Sequence, residues 1–357
     1  MQVYIATLVK SLLFVVLGGL GGWLFSFFPI PLPFMLGALS ANALAVALLP
    51  ERFLHGYKVP ELLRMPFIAC IGLLIGAQVH LELLTQWTPI LALLVAVTLF
   101  TPLSHALNYK LMRRYGGYDV PTAFFSAAPG GLLEAMALGE KAGANVAMLT
   151  VQQFLRIILV VTLIPFAISL WVGHPVGSAA GLEQLNPLQS SPIWQIILVG
   201  GAGYGLGLAL RIPAGQMTGP LILAGLLSTT GWLPLALPQW LVILAQIVIG
   251  TTLGLRFNGL SAAVLRRGIA LGVCSSLIML TFGALLAVIL TALVDLGLTA
   301  AWLSLAPGGV TEMALVALSL AADPALVTIA HVYRIALTVF IMSAGYARLN
   351  RRPSPQG

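Results

Sequence analysis

Few residues in this chain could do chemistry, and those that could occur twice. Ser126-Ala-Ala-Pro-Gly-Gly131 is followed by Glu134 and Arg156, and Ser304-Leu-Ala-Pro-Gly-Gly309 by Glu312 and Arg334, with every counterpart 178 residues apart. From Pro129 to Arg156 against Pro307 to Arg334, an ungapped match holds 8 identities in 28. The stretch is duplicated. Its acids and bases stand in apolar sequence, where an uncompensated charge costs about 2.5 to 3.5 kcal/mol. Charges at the same place in two halves of such a chain point to a site.

Two readings of those charges stay open. In one, each Glu pairs with an Arg and holds the motif against a neighbouring helix. In the other, an arginine binds a carboxylate or phosphate through its planar fork while a glutamate carries a coupling proton or cation. Three residues before Arg156 stands Gln153, and three before Arg334 stands His331, which is either a hydrogen-bonded structural group or a proton relay. The backbone residues have their own part. Proline ends an incoming arm and the glycines permit a reversal. An arm that starts again as a helix at this turn points free N–H groups and a positive dipole end outward, which suits an anion. The candidate binding residues are therefore Ser126, Pro129, Gly130, Gly131, Gln153 and Arg156, with Ser304, Pro307, Gly308, Gly309, His331 and Arg334. Glu134 and Glu312 are the coupling or ion-pair groups.

The elements that position these residues are set by composition. Of 357 residues, 59% are hydrophobic and 8% charged, too few polar groups to make a water-soluble surface. The chain reads as an all-α, polytopic membrane protein. Its net charge of +7 comes from Lys and Arg at segment ends, where they set orientation, so direct nucleic-acid binding is not expected. Cys70 and Cys274 fall in apolar runs and read as small buried hydrophobes. The histidines His55, His80, His105, His174 and His331 are dispersed, with no second ligand at metal spacing on their own segments. Walker loops, dinucleotide fingerprints and nucleophile elbows are absent, so no enzyme, metal or cofactor is expected.

Apolar segments run roughly over 8–27, 33–49, 61–79, 85–108, 119–141 and 146–172, and again over 192–210, 215–230, 238–255, 268–293, 297–319 and 324–346. Gly18-Gly19 matches Gly200-Gly201, and Pro31 to Gly37 matches Pro213 to Gly219, both offset by 182. Pro60, Gly72 and Gly76 match Pro238, Gly250 and Gly254, offset by 178. The repeat covers nearly the whole chain, as residues 1–178 and 179–346, before a basic tail at 347–357 that is expected to be disordered. The glycines of Gly18-Gly-Leu-Gly-Gly22 read as close helix-packing positions.

Basic residues follow the second and fourth segments of the first half, at Arg52, Lys58, Lys110, Arg113 and Arg114. In the second half they follow the first and third, at Arg211, Arg256, Arg266 and Arg267. Equivalent loops then face opposite sides, so the halves are inverted. Inversion needs an odd number of crossings, and the fifth segment supplies it. Broken at Pro129-Gly-Gly131, it leaves arms of about ten residues, which rise about 15 Å, half of a hydrocarbon core of about 30 Å. The expected fold is ten transmembrane helices and two re-entrant hairpins, with both termini cytoplasmic. Twelve full crossings in parallel halves would put the basic tail outside.

The pairing of Ala128-Pro-Gly-Gly131 with Gln153-Phe-Leu-Arg156, and of Ala306-Pro-Gly-Gly309 with His331-Val-Tyr-Arg334, resembles the AbrB membrane protein family over essentially the whole chain. His331 in place of Gln is a departure. The resemblance implies a multipass inner-membrane protein, labelled in that family a regulator of gene expression and sometimes an ammonia monooxygenase. The residues themselves favour a secondary transporter or exporter of a small polar or anionic solute, with a sensor or regulator acting through a partner as the alternative. Expected partners are the lipid bilayer, the solute, H+ or Na+ for coupling, and a second copy of the chain as a homodimer.

Overall fold

The computed structural model describes residues 2–28, 30, 32–49, 54, 57, 59–79, 87–173, 190–233, 235–260, 262–320 and 322–350. The 174–189 connection, the tail from 351, Arg52, Lys58, His55, His80 and His174 lie outside these. The first half holds α1 (Gln2–Ser26), α2 (Pro33–Leu48), α3 (Glu61–Ala77), α4 (Trp87–Arg114), α5 (Val120–Ser126), α6 (Leu132–Lys141) and α7 (Val146–Val172). The second repeats the plan with α8 (Ile193–Ala209), α9 (Gly215–Thr229), α10 (Gln239–Gly254), α11 (Ala262–Leu293), α12 (Leu298–Leu305), α13 (Val310–Ser319) and α14 (Pro324–Asn350). The segment expected at 119–141 is two short helices, α5 and α6, and its counterpart is α12 and α13. Both breaks fall at the Pro-Gly-Gly runs.

Among the described residues there is helix and no strand. Six helices are long and apolar enough to cross a membrane: α1, α4, α7, α10 with a short 3-10 extension, α11 and α14. They carry exposed apolar side chains such as Leu13, Val16, Leu20 and Trp23 on α1, and Leu285, Val288 and Ile289 on α11. In water such faces would be a liability, and in lipid they are solvated by hydrocarbon. Prolines mark several starts: α3, α8 and α10 begin directly after Pro60, Pro192 and Pro238. α14 runs to Asn350, four residues into the stretch expected to be tail.

The duplication extends to backbone detail. Leu32 and Ala214, 182 residues apart, both take a left-handed conformation just before α2 and α9, with φ of 49° and 52°. Only a few per cent of non-glycine residues do so. A shared rare conformation at equivalent positions marks one inherited turn, used twice.

The chain forms two compact units, and neither is a sequence half. One comprises residues 1–86, 162–259 and 310–326, and the other 87–161, 260–309 and 327–357. In the first unit the repeats exchange partners: α3 packs on α9, and α10 packs on α2. Glycines let the backbones meet. A Cβ at Gly72 would collide with the Met217 carbonyl, and one at Gly250 with the Met35 carbonyl. Gly76 against Leu221 and Gly254 against Leu39 repeat the pattern one turn on. These contacts are reciprocal between the two repeats, and small residues at such crossings are what helix association in lipid requires.

Candidate functional site

The second unit contains both Pro-Gly-Gly tips. At the first, α5 ends at Ser126 and α6 starts at Leu132, with Gly131 as its N-cap at φ 62° and ψ 54°. Only glycine takes that conformation without steric penalty. The incoming arm leaves carbonyl oxygens with no helical partner, and α7 satisfies them. Gln153 Nε2 donates to the carbonyls of Phe125 at 3.0 Å and of Ser126 and Ala128 at 3.4 Å. Arg156, one turn on, donates through Nη1 to the Ala128 carbonyl. A cation at the negative end of a half-helix is favourably placed.

At the second tip α12 ends at Leu305 and α13 starts at Val310. Arg334 Nη1 donates to the Ala306 carbonyl and Nη2 to that of Gly308 at 2.9 Å. His331 repeats the part of Gln153 only loosely: its ring stands near the Ala306 carbonyl, the counterpart of that of Ala128, without a bond of good geometry. Its Nδ1 lies 2.8 Å from the Val327 carbonyl of its own helix. In the neutral ring that bond puts the proton on Nδ1 and leaves Nε2 an acceptor.

Arg334 also touches the first tip. A Cβ on Gly130 would lie 3.4 Å from Arg334 Nε and 3.5 Å from Thr338 Oγ1, so the two tips converge on one guanidinium. Arg156 is close enough for its charge to act on Arg334. Neither arginine has an ion-pair partner among the described residues. Around the tips, Ser126 Oγ, Ser304 Oγ, Arg156 Nε, Arg334 Nε, Gln153 Oε1 and His331 Nε2 are buried without hydrogen-bond partners. Each orphan polar atom of this kind costs about 1 to 3 kcal/mol. Such a concentration at two backbone breaks is the pattern of a site that binds something polar.

Glu134 and Glu312 each stand at the third position of an outgoing arm, α6 and α13. That is where a carboxylate meets the free N–H groups and the positive dipole end. Glu134 Oε2 lies beside Gly131, at 3.4 Å from where a Cβ would stand. Glu312, in the first unit, feels the charges of Arg64 and Arg256.

The profile of the family described as "Transition state regulatory protein AbrB" matches residues 34–350. The chain belongs to the AbrB family. A Bacillus subtilis (strain 168) relative named "Uncharacterized protein YhjN" is 28% identical over 96% of this chain and 94% of its own length. An Escherichia coli (strain K12) relative named "Putative regulator AbrB" is 25% identical over 83% of this chain and 86% of its own. No solved structure matches.

This AbrB-family chain also carries polar residues that the sequence reading passed over. Thr101, Ser104, His105 and Asn108 are buried on one face of α4, at helical spacing i, i+3, i+4 and i+7. Ser104 Oγ and Asn108 Oδ1 have no hydrogen-bond partner among the described residues, and the His105 ring stands against Phe124 on α5, near its backbone and 4.6 Å from its ring. The spacing was visible in the sequence. Inside a 28-residue apolar helix it reads as scattered small residues unless the helical face is drawn out.

Proposed function

We propose that this AbrB-family protein is a secondary carrier or exporter that binds a small polar or anionic solute between its two Pro-Gly-Gly tips. The observation that carries the reading is Arg334, which holds the carbonyls of one tip, lies against Gly130 of the other, and keeps a buried Nε–H unpartnered. Among the orphan atoms at the tips, the Nε–H groups of Arg156 and Arg334 can only donate, the hydroxyls of Ser126 and Ser304 can donate or accept, and Gln153 Oε1 and His331 Nε2 accept, so up to four donors can turn to a ligand. A donor-rich site beside two positive charges favours an anion over a neutral solute.

The topology proposed with it is ten crossings and two re-entrant hairpins in inverted halves, in the cytoplasmic membrane with both termini inside. Arms of 7 and 10 residues at the first break and 8 and 10 at the second support it, because each is too short to span. Glu134 and Glu312, at the starts of the outgoing arms, are the groups through which H+ or Na+ would couple. In a cysteine-free variant, a membrane-impermeant thiol reagent should reach a cysteine at position 183 only from outside and at 114 only from inside. The opposite pattern overturns the orientation.

Counterflow in proteoliposomes tests the carrier. Vesicles loaded with succinate, sulfate or phosphate should accumulate the same labelled anion, and Arg334→Ala, still monodisperse in detergent, should not. A protein that exchanges none of them yet binds one is a sensor. That second reading has one observation in its favour, the regulator name of the Escherichia coli relative.

A further inference from the structure

We propose that the groove at the base of the first hairpin is the vestibule through which a small anion reaches the tips, an inference that rests on the carrier reading. The groove lies wholly within the second unit and has a volume of about 810 Å³. Its walls include Tyr118 and Thr122 at the start of the hairpin, Asn145 and Met148 where α7 begins, and Arg267 and Cys274 on α11. Here the hairpin is tied shut at its base, since the Asn145 backbone N–H donates to Thr122 Oγ1 at 2.8 Å.

Helical register connects this groove to the tip. Along α5, Thr122 is followed one turn later by Ser126, and along α7 Met148 is followed by Gln152 and then Arg156, each step four residues. Those steps rise about 6 Å each, so the arginine lies about 12 Å below the groove wall. Gln152 stands between them, buried at 3% exposure. Its Nε2 donates to the Tyr118 hydroxyl at 2.9 Å and to the Gly268 carbonyl at 3.0 Å, while its Oε1 is unpartnered. Between the groove and the arginine, Gln152 thus makes a polar latch between α7 and α11. Burial pushes the Tyr118 hydroxyl above the ordinary tyrosine range, against the opposing pull of its bond to Gln152, so it stays a neutral donor and acceptor in that latch.

Charge gives the groove its sign. Arg267 lines it, and Arg113 Nη1 donates to the Tyr118 carbonyl at 2.6 Å, against one carboxylate, Asp119. The second hairpin has no such mouth in its sequence: Gly297, Ala300 and Asp323 stand where the first has Asp119, Thr122 and Asn145. Asp323 Oδ1 is engaged in capping, accepting from the N–H groups of Ala325 and Leu326. Two guanidinium groups against one carboxylate at the first hairpin, and a lone carboxylate at the equivalent sequence position of the second, bias anion entry to the first.

The native thiol Cys274, expected from its apolar run to be buried but exposed on the groove wall, provides the test. In a Cys70→Ser protein the anionic reagent sulfonatoethyl methanethiosulfonate, with each rate divided by that reagent's rate with a free thiol, should label Cys274 about tenfold faster than its trimethylammonium counterpart at low salt, and the preference should fall as salt rises. The adduct should abolish succinate, sulfate or phosphate counterflow, and Cys70→Ser with Cys274→Ser should be insensitive. Equal labelling rates, an unreactive thiol, or full exchange by the modified protein would overturn the vestibule. Labelling rates read the groove even if the unmodified protein exchanges nothing, a result that would count against the carrier instead.

Discussion

The two hairpins share a sequence motif and are held by different means. At the first, an amide and a guanidinium divide the carbonyls of the incoming arm, Gln153 reaching three of them and Arg156 one. At the second, one guanidinium holds both carbonyls, while His331 bonds the Val327 carbonyl of its own helix and only approaches that of Ala306. The reversals differ too. The first passes through a left-handed Gly131, whereas no residue from 306 to 309 has a positive φ, and α12 continues to Leu305, one residue beyond the counterpart of Ser126. Duplication supplied the chemistry twice, and divergence made Arg334 the residue on which both tips depend.

The largest effect should therefore come from Arg334→Lys. Lysine keeps the charge, but a single ammonium on a flexible stem cannot reproduce a planar fork holding two carbonyls. Truncating a buried charge-assisted interaction costs about 2 to 5 kcal/mol, so anion counterflow should fall about a hundredfold or more. Arg156→Lys should cost clearly less, since Gln153 still holds the Ala128 carbonyl, and equal losses would show that the tips are functionally symmetric. Gln153→Ala comes next. It removes no charge and leaves the Phe125 and Ser126 carbonyls unpaired, an expected loss of about 1 to 3 kcal/mol, read as a lower unfolding midpoint in detergent.

Much of this asymmetry was hidden from the sequence for a physical reason. Pro129-Gly-Gly131 and Pro307-Gly-Gly309 announce where helices must stop, because proline and paired glycines act on the local backbone, and the helices do stop there. The glycine matches, Gly72 with Gly250 and Gly76 with Gly254, were equally legible, since close helix crossings leave a local mark. Partners far apart in sequence leave none. Pairing of Glu134 with Arg156 was a reasonable reading of two opposite charges, yet the guanidinium takes carbonyls and the carboxylate stands at the start of α6. A helix with orphan groups at both ends can satisfy a cation and an anion separately, and spacing alone does not distinguish that from an ion pair. The interleaved units were invisible for a related reason: each repeat also buries helices against the other, α3 on α9 and α10 on α2.

A smaller difference concerns the turns. Gly131→Ala forces an L-residue into the left-handed region, at a cost of about 1 to 2 kcal/mol. Gly309→Ala meets no such barrier, since its φ is not positive, and should cost under about 1 kcal/mol. Unfolding midpoints of the two variants in the same detergent compare them directly, and a larger loss at Gly309 would mean that the second turn is limited by space.

The smallest expected effect is also the most discriminating. His331→Gln gives the second tip the amide that the first already has, with two N–H donors at the place from which Gln153 reaches the arm carbonyls. If the hairpins differ only in how tightly they are held, the variant should gain about 0.5 to 1.5 kcal/mol in stability, with exchange unchanged or faster. The imidazole, however, presents an unpartnered Nε2 acceptor beside Arg334 that no longer exists once an amide bonds the carbonyls. A stiffer protein that has lost exchange would assign that nitrogen to the transport cycle. The second hairpin would then be the weaker of the two because its histidine serves the solute and not the fold.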